Sequence, residues 1–392
     1  MRGCVIQGPF IYTEAGVLSN GFAVVEDGRI ARIGTGTYDG RDRHIFSFPP
    51  DYSLVPGRID LHIHGAAGAD AMDATEESLR TIAAALPQEG TTSFLAATMT
   101  QHKESIAAAL RNAGGFRPID GEAELLGVHL EGPFLHPQRA GAQPADAILE
   151  PDLELFQEWQ QLAGGSIRLV TLAPERKGGL ELVRYLKEQG IVVSIGHSDA
   201  TYEEAVAAMQ AGASHVTHLF NGMCGMHHRE PGLLGAALLR EELYAEMIAD
   251  GIHIHPEMVK LAWLQKGTDK IVLITDAMRA KGLPDGMYKL GGQDVRVLEG
   301  RAALSDGTLA GSVLRMDQAV RNMLVFTGCT LGDAVRMSSE NPARQLGVFA
   351  RKGSIAAGKD ADLVVLNERH EVVMTWCRGY LSYERREEDE AD

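Results

Sequence analysis

Apolar and polar positions along the chain fall into two textures. Residues 1–54 carry short β-type runs broken by turn residues, and Asp27-Gly28 between Phe22-Ala23-Val24-Val25 and Arg29-Ile30 predicts a hairpin. From residue 55 onward, apolar runs recur at 55–65, 91–96, 125–130, 167–172, 191–195, 215–217, 245–249 and 271–275. Stretches with helical spacing stand between several of them, at 76–86, 151–162, 179–189, 202–211 and 256–265. Eight strands alternating with helices over roughly 220 residues predict an α/β fold, a (β/α)8 TIM-like barrel. A polar, Gly-rich, strand-like insert follows at 282–310, then helices near 313–326 and 331–338, which Ser339-Glu340-Asn341-Pro342 is expected to break.

After residue 350 the texture returns to turns and strands, and the last residues are mostly charged. The organisation expected is therefore 1–54 as the first part of a small β-sandwich and 55–350 as the barrel with its β insert. Residues 351–392 supply the rest of the sandwich and an acidic tail, so both chain ends build one companion domain.

Composition narrows the class of partner. No apolar run approaches the ~20 residues that span a bilayer. Met1-Arg2-Gly3-Cys4-Val5-Ile6 reads as the start of a strand rather than a signal peptide, which points to a cytoplasmic location. A net charge of −16 argues against nucleic acid or anionic membranes, while leaving room for a small anionic substrate held by local positive groups. The four cysteines are scattered without a CxxC pair, so neither a disulfide framework nor a cysteine zinc site is expected.

The chemistry lies at the strand ends, where a barrel of this kind places its active site. The first strand closes on His62-Ile63-His64, whose two imidazoles share one face because side chains alternate along a strand. The third ends in Glu131, the fifth in His197, the sixth in His218 and the eighth in Asp276, while the seventh runs into Asp250-Gly251-Ile252-His253. Taken singly, each has a plain structural reading: Asp276 as a helix N-cap, Glu131 as a helix-start carboxylate. Ligand-type side chains at five strand ends together select one or two first-row divalent ions. His129 is expected to pack or support the site, and His227 and His228 to lie on the surface. A bound divalent ion brings the pKa of water from about 15.7 to about 7, and a neighbouring carboxylate can carry the proton. The expectation is metal-assisted hydrolysis without a covalent enzyme intermediate, with Asp276 as the proton carrier.

The His-x-His pair on strand one, histidines on strands five and six and an aspartate on strand eight resemble the amidohydrolase superfamily. The segments His129-Leu130-Glu131-Gly132-Pro133-Phe134, Thr217-His218-Leu219-Phe220-Asn221-Gly222-Met223, Arg229-Glu230-Pro231-Gly232 and Gly307-Thr308-Leu309-Ala310-Gly311-Ser312 are similar to its N-acetylglucosamine-6-phosphate deacetylase family. That resemblance implies deacetylation of an N-acetylated amino-sugar phosphate, in amino-sugar catabolism and cell-wall sugar recycling. It implies a main ion on Glu131, His197 and His218, and a second on His62 and His64 with Glu131 and Asp276. Zinc stands first among the metals, with iron, manganese or cobalt as alternatives. Substrate contacts implied are Ala142 and Gln143 to the sugar, Asn221, Gly222, Arg229 and the Asp250, Gly251, Ile252, His253 segment around the phosphate, and Leu309, Ala310, Gly311 at the acetyl end. The resemblance further implies a homodimer in which Arg229 reaches the neighbouring subunit's site. Read from the residues alone, the alternative for Arg229 is an ion pair with Glu230 or another surface acid, the insert is either a lid or a structural flap, and the epimer at the sugar is open.

Overall fold

The computed structural model describes residues 3–40 and 43–386; Met1, Arg2 and most of the charged tail expected over 384–392 lie outside them. Eight strands form one parallel sheet in sequence order, with ranges Arg58–Ile63, Thr91–Ala97, Glu124–Glu131, Ile167–Leu172, Val192–Ile195, His215–Val216, Tyr244–Met247 and Ile271–Leu273. The barrel closes between its first and eighth strands: Asp276 N donates to His62 O at 2.8 Å and His64 N to Ala277 O at 2.9 Å. Asp60 seals the same seam from inside, taking the Thr275 hydroxyl at 2.6 Å. The residues that bring the chemistry thus also join the two ends of the sheet.

The strands read as nearly continuous apolar runs because both of their faces are covered, one by barrel-interior side chains and one by the helices. Two helices that the hydrophobic pattern left unassigned, Lys103–Gly115 and Gly232–Leu239, belong to the outer ring. Among the described residues no helix is long and apolar enough to cross a membrane.

The expected first strand is two strands. Ser53–Pro56 pairs antiparallel with Leu363–Leu366 in a six-stranded sheet, and only from Arg58 does the chain enter the barrel. The expected boundary at 54/55 therefore falls inside a sandwich strand. Gly57 makes the crossing possible: a Cβ there would stand 2.1 Å from Thr92 Oγ1. That sheet takes Phe10–Thr13, Gly16–Leu18 and Ser53–Pro56 from one chain end and Leu363–Leu366, Val372–Cys377 and Tyr380–Glu384 from the other. A four-stranded sheet packs with it over Ile6, Val25, Ile30, Leu54, Val365 and Trp376, which forms the sandwich built by both ends. Its hairpin turns at Asp27 (φ 47°) and Gly28 (φ 78°), the pair of left-handed residues that a tight two-residue turn demands.

The insert is a three-stranded antiparallel sheet, Gly286–Leu290, Gln293–Leu298 and Arg301–Ala303. Leu290, Val295 and Val297 pack on Met99 and Met278 beside the barrel mouth. The expected break at 339–342 is instead a continuation: the helix Leu331–Val335 widens into a π turn at Arg336–Glu340 and resumes as Asn341–Gln345. Pro342 follows directly on the wide turn, which makes room for its ring and its missing N–H where an ordinary α turn would not.

Candidate metal centre and substrate cavity

Three of the strand-end residues bend the chain into the left-handed region: His197 (φ 46°), His218 (φ 29°) and Asp276 (φ 49°). Such conformations are costly for non-glycine residues and persist where the surroundings hold them. Here they turn side chains that would continue along the strands inward over the barrel mouth.

Two trios of ligand-type atoms gather at the mouth, each mutually within 4.8 Å, Glu131, His197 and His218, and His62, His64 and Asp276, while a third, His62, His129 and Glu246, lies deeper in the barrel. Glu131 Oε1 lies 3.2 Å from His197 Nε2 and 3.3 Å from His218 Nε2, while its Oε2 lies 3.3 Å from His64 Nε2. Asp276 Oδ1 is 3.2 Å from His64 Nε2 and 3.5 Å from His62 Nε2. Glu131 therefore stands between the trios, with Oε1 also 3.5 Å from His62 Nε2 and Oε2 turned to His64.

The far side of each ring is fixed. His197 Nδ1 donates to Arg139 O at 2.7 Å and His218 Nδ1 to Asn221 O at 3.1 Å, so the Nε2 lone pairs face the centre. His62 Nε2 and His64 Nδ1 are buried without a hydrogen-bond partner. Imidazole nitrogens and carboxylate oxygens converging in this way are the donor set of a first-row divalent cation, and the residues fit such an ion.

Electrostatics tell the same story. Burial disfavours charge on every member, yet for His64 the neighbouring Asp276 and Glu131 outweigh it and raise the pKa to about 10. His62 is raised well above its ordinary value against burial by Asp276, Glu131 and Glu246. Burial likewise opposes ionisation of Glu131, but the charge of His62 and hydrogen bonds from His197 and His218 hold it well below the usual carboxylate range. Asp276 is lowered against burial by His62 and His64. Protons on the imidazoles thus supply the positive charge that a cation would bring, and cation binding has to release them. His129 is the exception: burial and the charge of His62 push it to about 3, a neutral ring held by Leu61 O and Thr171 Oγ1.

A cavity of about 290 Å³ opens above the centre. Of the expected substrate contacts, Ala142, Gln143, Asn221, Gly222, His253, Leu309 and Gly311 line it, together with His64, Glu131, His197, His218 and Asp276. Others are elsewhere. Ala310 is buried in the flap core and donates its N–H to Ala302 O at 3.1 Å. Asp250 stands behind the cavity wall: its carboxylate takes the Ile252 and His253 N–H groups at 2.8 Å each and the His253 ring at 2.6 Å. Gly251 and the exposed side chain of Ile252 are likewise outside the wall. Arg229 is exposed, its guanidinium 2.7 Å from His228 Nε2, and within one chain it does not reach the cavity. Gln143 also departs from expectation. Its carboxamide donates to Glu131 Oε2 and accepts from Thr100 N, both at 2.8 Å, so its polar atoms are engaged by the protein.

Sequence reasoning missed Met99, Leu290 and Thr308 in the cavity wall and, beneath the centre, Glu246. Glu246 had a signal: a carboxylate inside the apolar run Ala245-Glu246-Met247-Ile248 has to be paired if the strand is buried.

The amidohydrolase family profile matches residues 53–381. The N-acetylglucosamine-6-phosphate deacetylase of Bacillus subtilis (strain 168) is 50% identical over 390 residues, covering 98% of each chain. The N-acetylgalactosamine-6-phosphate deacetylase of Escherichia coli O157:H7 is 39% identical, over 96% of this chain and 99% of that one. A solved N-acetyl-D-glucosamine-6-phosphate deacetylase mutant from Mycobacterium smegmatis, in complex with N-acetyl-D-glucosamine-6-phosphate, superposes with a TM-score of 0.90 at 31% identity, covering 97% of this chain and 100% of that chain. With the fold, the strand-end ligands and these similarities in agreement, the chain belongs to the amidohydrolase family, among the N-acetylglucosamine-6-phosphate deacetylases.

Proposed function

We propose that this enzyme hydrolyses the acetamide of N-acetyl-D-glucosamine 6-phosphate, releasing acetate and D-glucosamine 6-phosphate. The observation that carries the reading is the pair of buried ligand trios sharing Glu131 at the floor of a cavity that also holds Asp276, Asn221 and His253. One or two divalent ions, zinc first, are assigned to the trios; they supply Lewis acidity that brings water to a pKa of about 7 and polarises the acetamide carbonyl.

The chain's own residues do the rest. Asp276 takes the proton of the attacking water and returns it to the amine as the C–N bond breaks, which a carboxylate held ionised can do. His64, 3.2 Å from Asp276 Oδ1, orients that carboxylate. Asn221, Gly222 and His253 receive the phosphate end, and Asp250 fixes the His253 ring and backbone together. Leu309 and Gly311 close on the acetyl group, and the flap strands Gly286–Leu290 and Gln293–Leu298 shield it from bulk water.

Arg229, outside its own cavity, is assigned to a second subunit's site, and the exposed apolar side chain of Met226, three residues before it, suits a dimer face. The site is assigned to a cytoplasmic homodimer.

A relative that acts on the galacto epimer favours a second reading, the N-acetylgalactosamine 6-phosphate substrate. Acetate release from both phosphosugars and from unphosphorylated N-acetylglucosamine, before and after metal stripping, tests the proposal. Metal-dependent release fastest with the gluco phosphosugar is expected. Release without phosphate preference overturns the substrate, and faster turnover of the galacto epimer selects the second reading.

A further inference from the structure

Beneath the two trios, one carboxylate touches both. Glu246 lies on the seventh barrel strand, Tyr244–Met247, with no exposure to solvent. Its Oε2 accepts from the His62 ring at Nδ1, 3.0 Å away, and from the backbone N–H of His218 at 3.1 Å. Its Oε1 lies 3.3 Å from His215 Nε2. Among the described residues no other side chain hydrogen-bonds to a member of each trio from below.

The two contacts do different things. At His62 the bond places the ring proton on Nδ1 and leaves Nε2, which has no partner in the protein, turned toward Glu131 and Asp276 at 3.5 Å each. At His218 it engages the N–H of a residue held at φ 29°, outside the sheet ladder. A left-handed residue at a strand end cannot keep its place if that buried N–H is left without an acceptor. The strand-seven backbone reinforces the grip, since Leu219 N donates to Glu246 O at 2.9 Å.

We infer that Glu246 is the positioning residue of the metal centre, setting the tautomer of His62 in one trio and the backbone of His218 in the other. The inference rests on the two-ion reading of the trios. Among the described residues the His62 ring makes its one hydrogen bond to Glu246, whereas the His218 ring is anchored separately on Asn221 O. Loss of the carboxylate should therefore weaken the ion on His62, His64 and Asp276 more than the ion on Glu131, His197 and His218. Loss of a group that orients a ligand typically costs 10–100-fold in metal affinity.

The test is Glu246→Gln, close in shape but uncharged, compared with wild type by zinc titration against a chromophoric chelator and by metal analysis after dialysis. Circular dichroism of the metal-free proteins reports the fold. Two ions in wild type and one in E246Q at low free zinc, with the second bound roughly 10–100-fold more weakly, is the expected result. At the ion on His62, His64 and Asp276, a double mutant with His62→Asn should show little further loss beyond H62N alone, because Glu246 then has no ring to orient, while the smaller effect through His218 persists at the other ion. Equal stoichiometry and affinity in E246Q and wild type overturn the inference; additive losses at the ion on His62, His64 and Asp276 also overturn it. Wild-type protein that binds fewer than two ions overturns the two-ion reading instead. If E246Q does not fold, Glu246→Asp, with the carboxylate drawn back by one methylene, is measured in its place with the same expected loss.

Discussion

Replacing Asp276 with Asn separates proton transfer from everything else this residue does. Its backbone closes the barrel, donating to His62 O at 2.8 Å and accepting from Ser312 N at 2.7 Å, and neither bond involves the side chain. Asn tolerates the φ of 49° nearly as well as Asp, so the seam should survive. The Asn carbonyl oxygen can keep the 3.2 Å contact to His64, but the side chain can no longer take up a proton. General acid–base catalysis by a positioned group contributes about 10²–10⁴-fold, which is about 2.7–5.4 kcal/mol of barrier at about 1.36 kcal/mol per decade. Acetate release at saturating substrate should fall by that factor. Because Asp276 is also a ligand-type group, the assay is run across a zinc titration with metal content measured in parallel. A turnover within tenfold of wild type once metal is saturating would refute the proton role and leave Asp276 a ligand only.

Other expectations follow from particular contacts. Arg229→Ala should raise KM for the phosphorylated sugar about 10–150-fold and leave the unphosphorylated sugar unaffected, since a charge-assisted bond is worth about 1.5–3 kcal/mol; equal loss on both sugars removes Arg229 from the phosphate site. Gly196→Ala would set a Cβ 2.5 Å from Thr217 Cβ and 2.9 Å from Thr171 Cγ2, one residue before His197. It should cost about 1–3 kcal/mol in denaturant unfolding and weaken metal retention, and an unchanged midpoint would contradict the packing. Lys352, buried among Asp362, Glu124 and Asp360, should cost about 3–5 kcal/mol when replaced by Met, because buried Asp362 loses its cationic partner while Glu124 and Asp360 keep only Arg351. Burial raises the pKa of Glu124, but Lys352 and Arg351 outweigh it and hold the group below its usual 4.5. Its stabilisation is thus full above that value and is lost as pH falls through the depressed one, so Glu124→Gln should flatten the fall in melting temperature below about pH 4.5. The same acid dependence in variant and wild type would contradict this.

The sequence by itself determined most of the barrel and which imidazole and carboxylate side chains close its strands. Periodicity sufficed for the strands because a parallel sheet covered on both faces demands continuous apolar runs, and the run ending at Glu131 or His197 is local information. It also located Asp276, since a polar residue closing an apolar strand stands out in one dimension. What only the tertiary structure decided are relations between distant residues. Gly57 divides one apolar run between two sheets because Thr92 lies against it, and nothing near Gly57 in sequence says so. Gln143 faces Glu131 rather than open cavity, and Ala310 turns into the flap core while Leu309 faces the site. Pro342 continues a helix because the preceding turn widens. Glu246 holds His62 from 184 residues away, a pairing that exists only when strands one, six and seven close around a common interior. Periodicity reports which face of an element is buried; which group meets which inside a closed barrel is fixed by strand order and stagger, and those are properties of the assembled sheet.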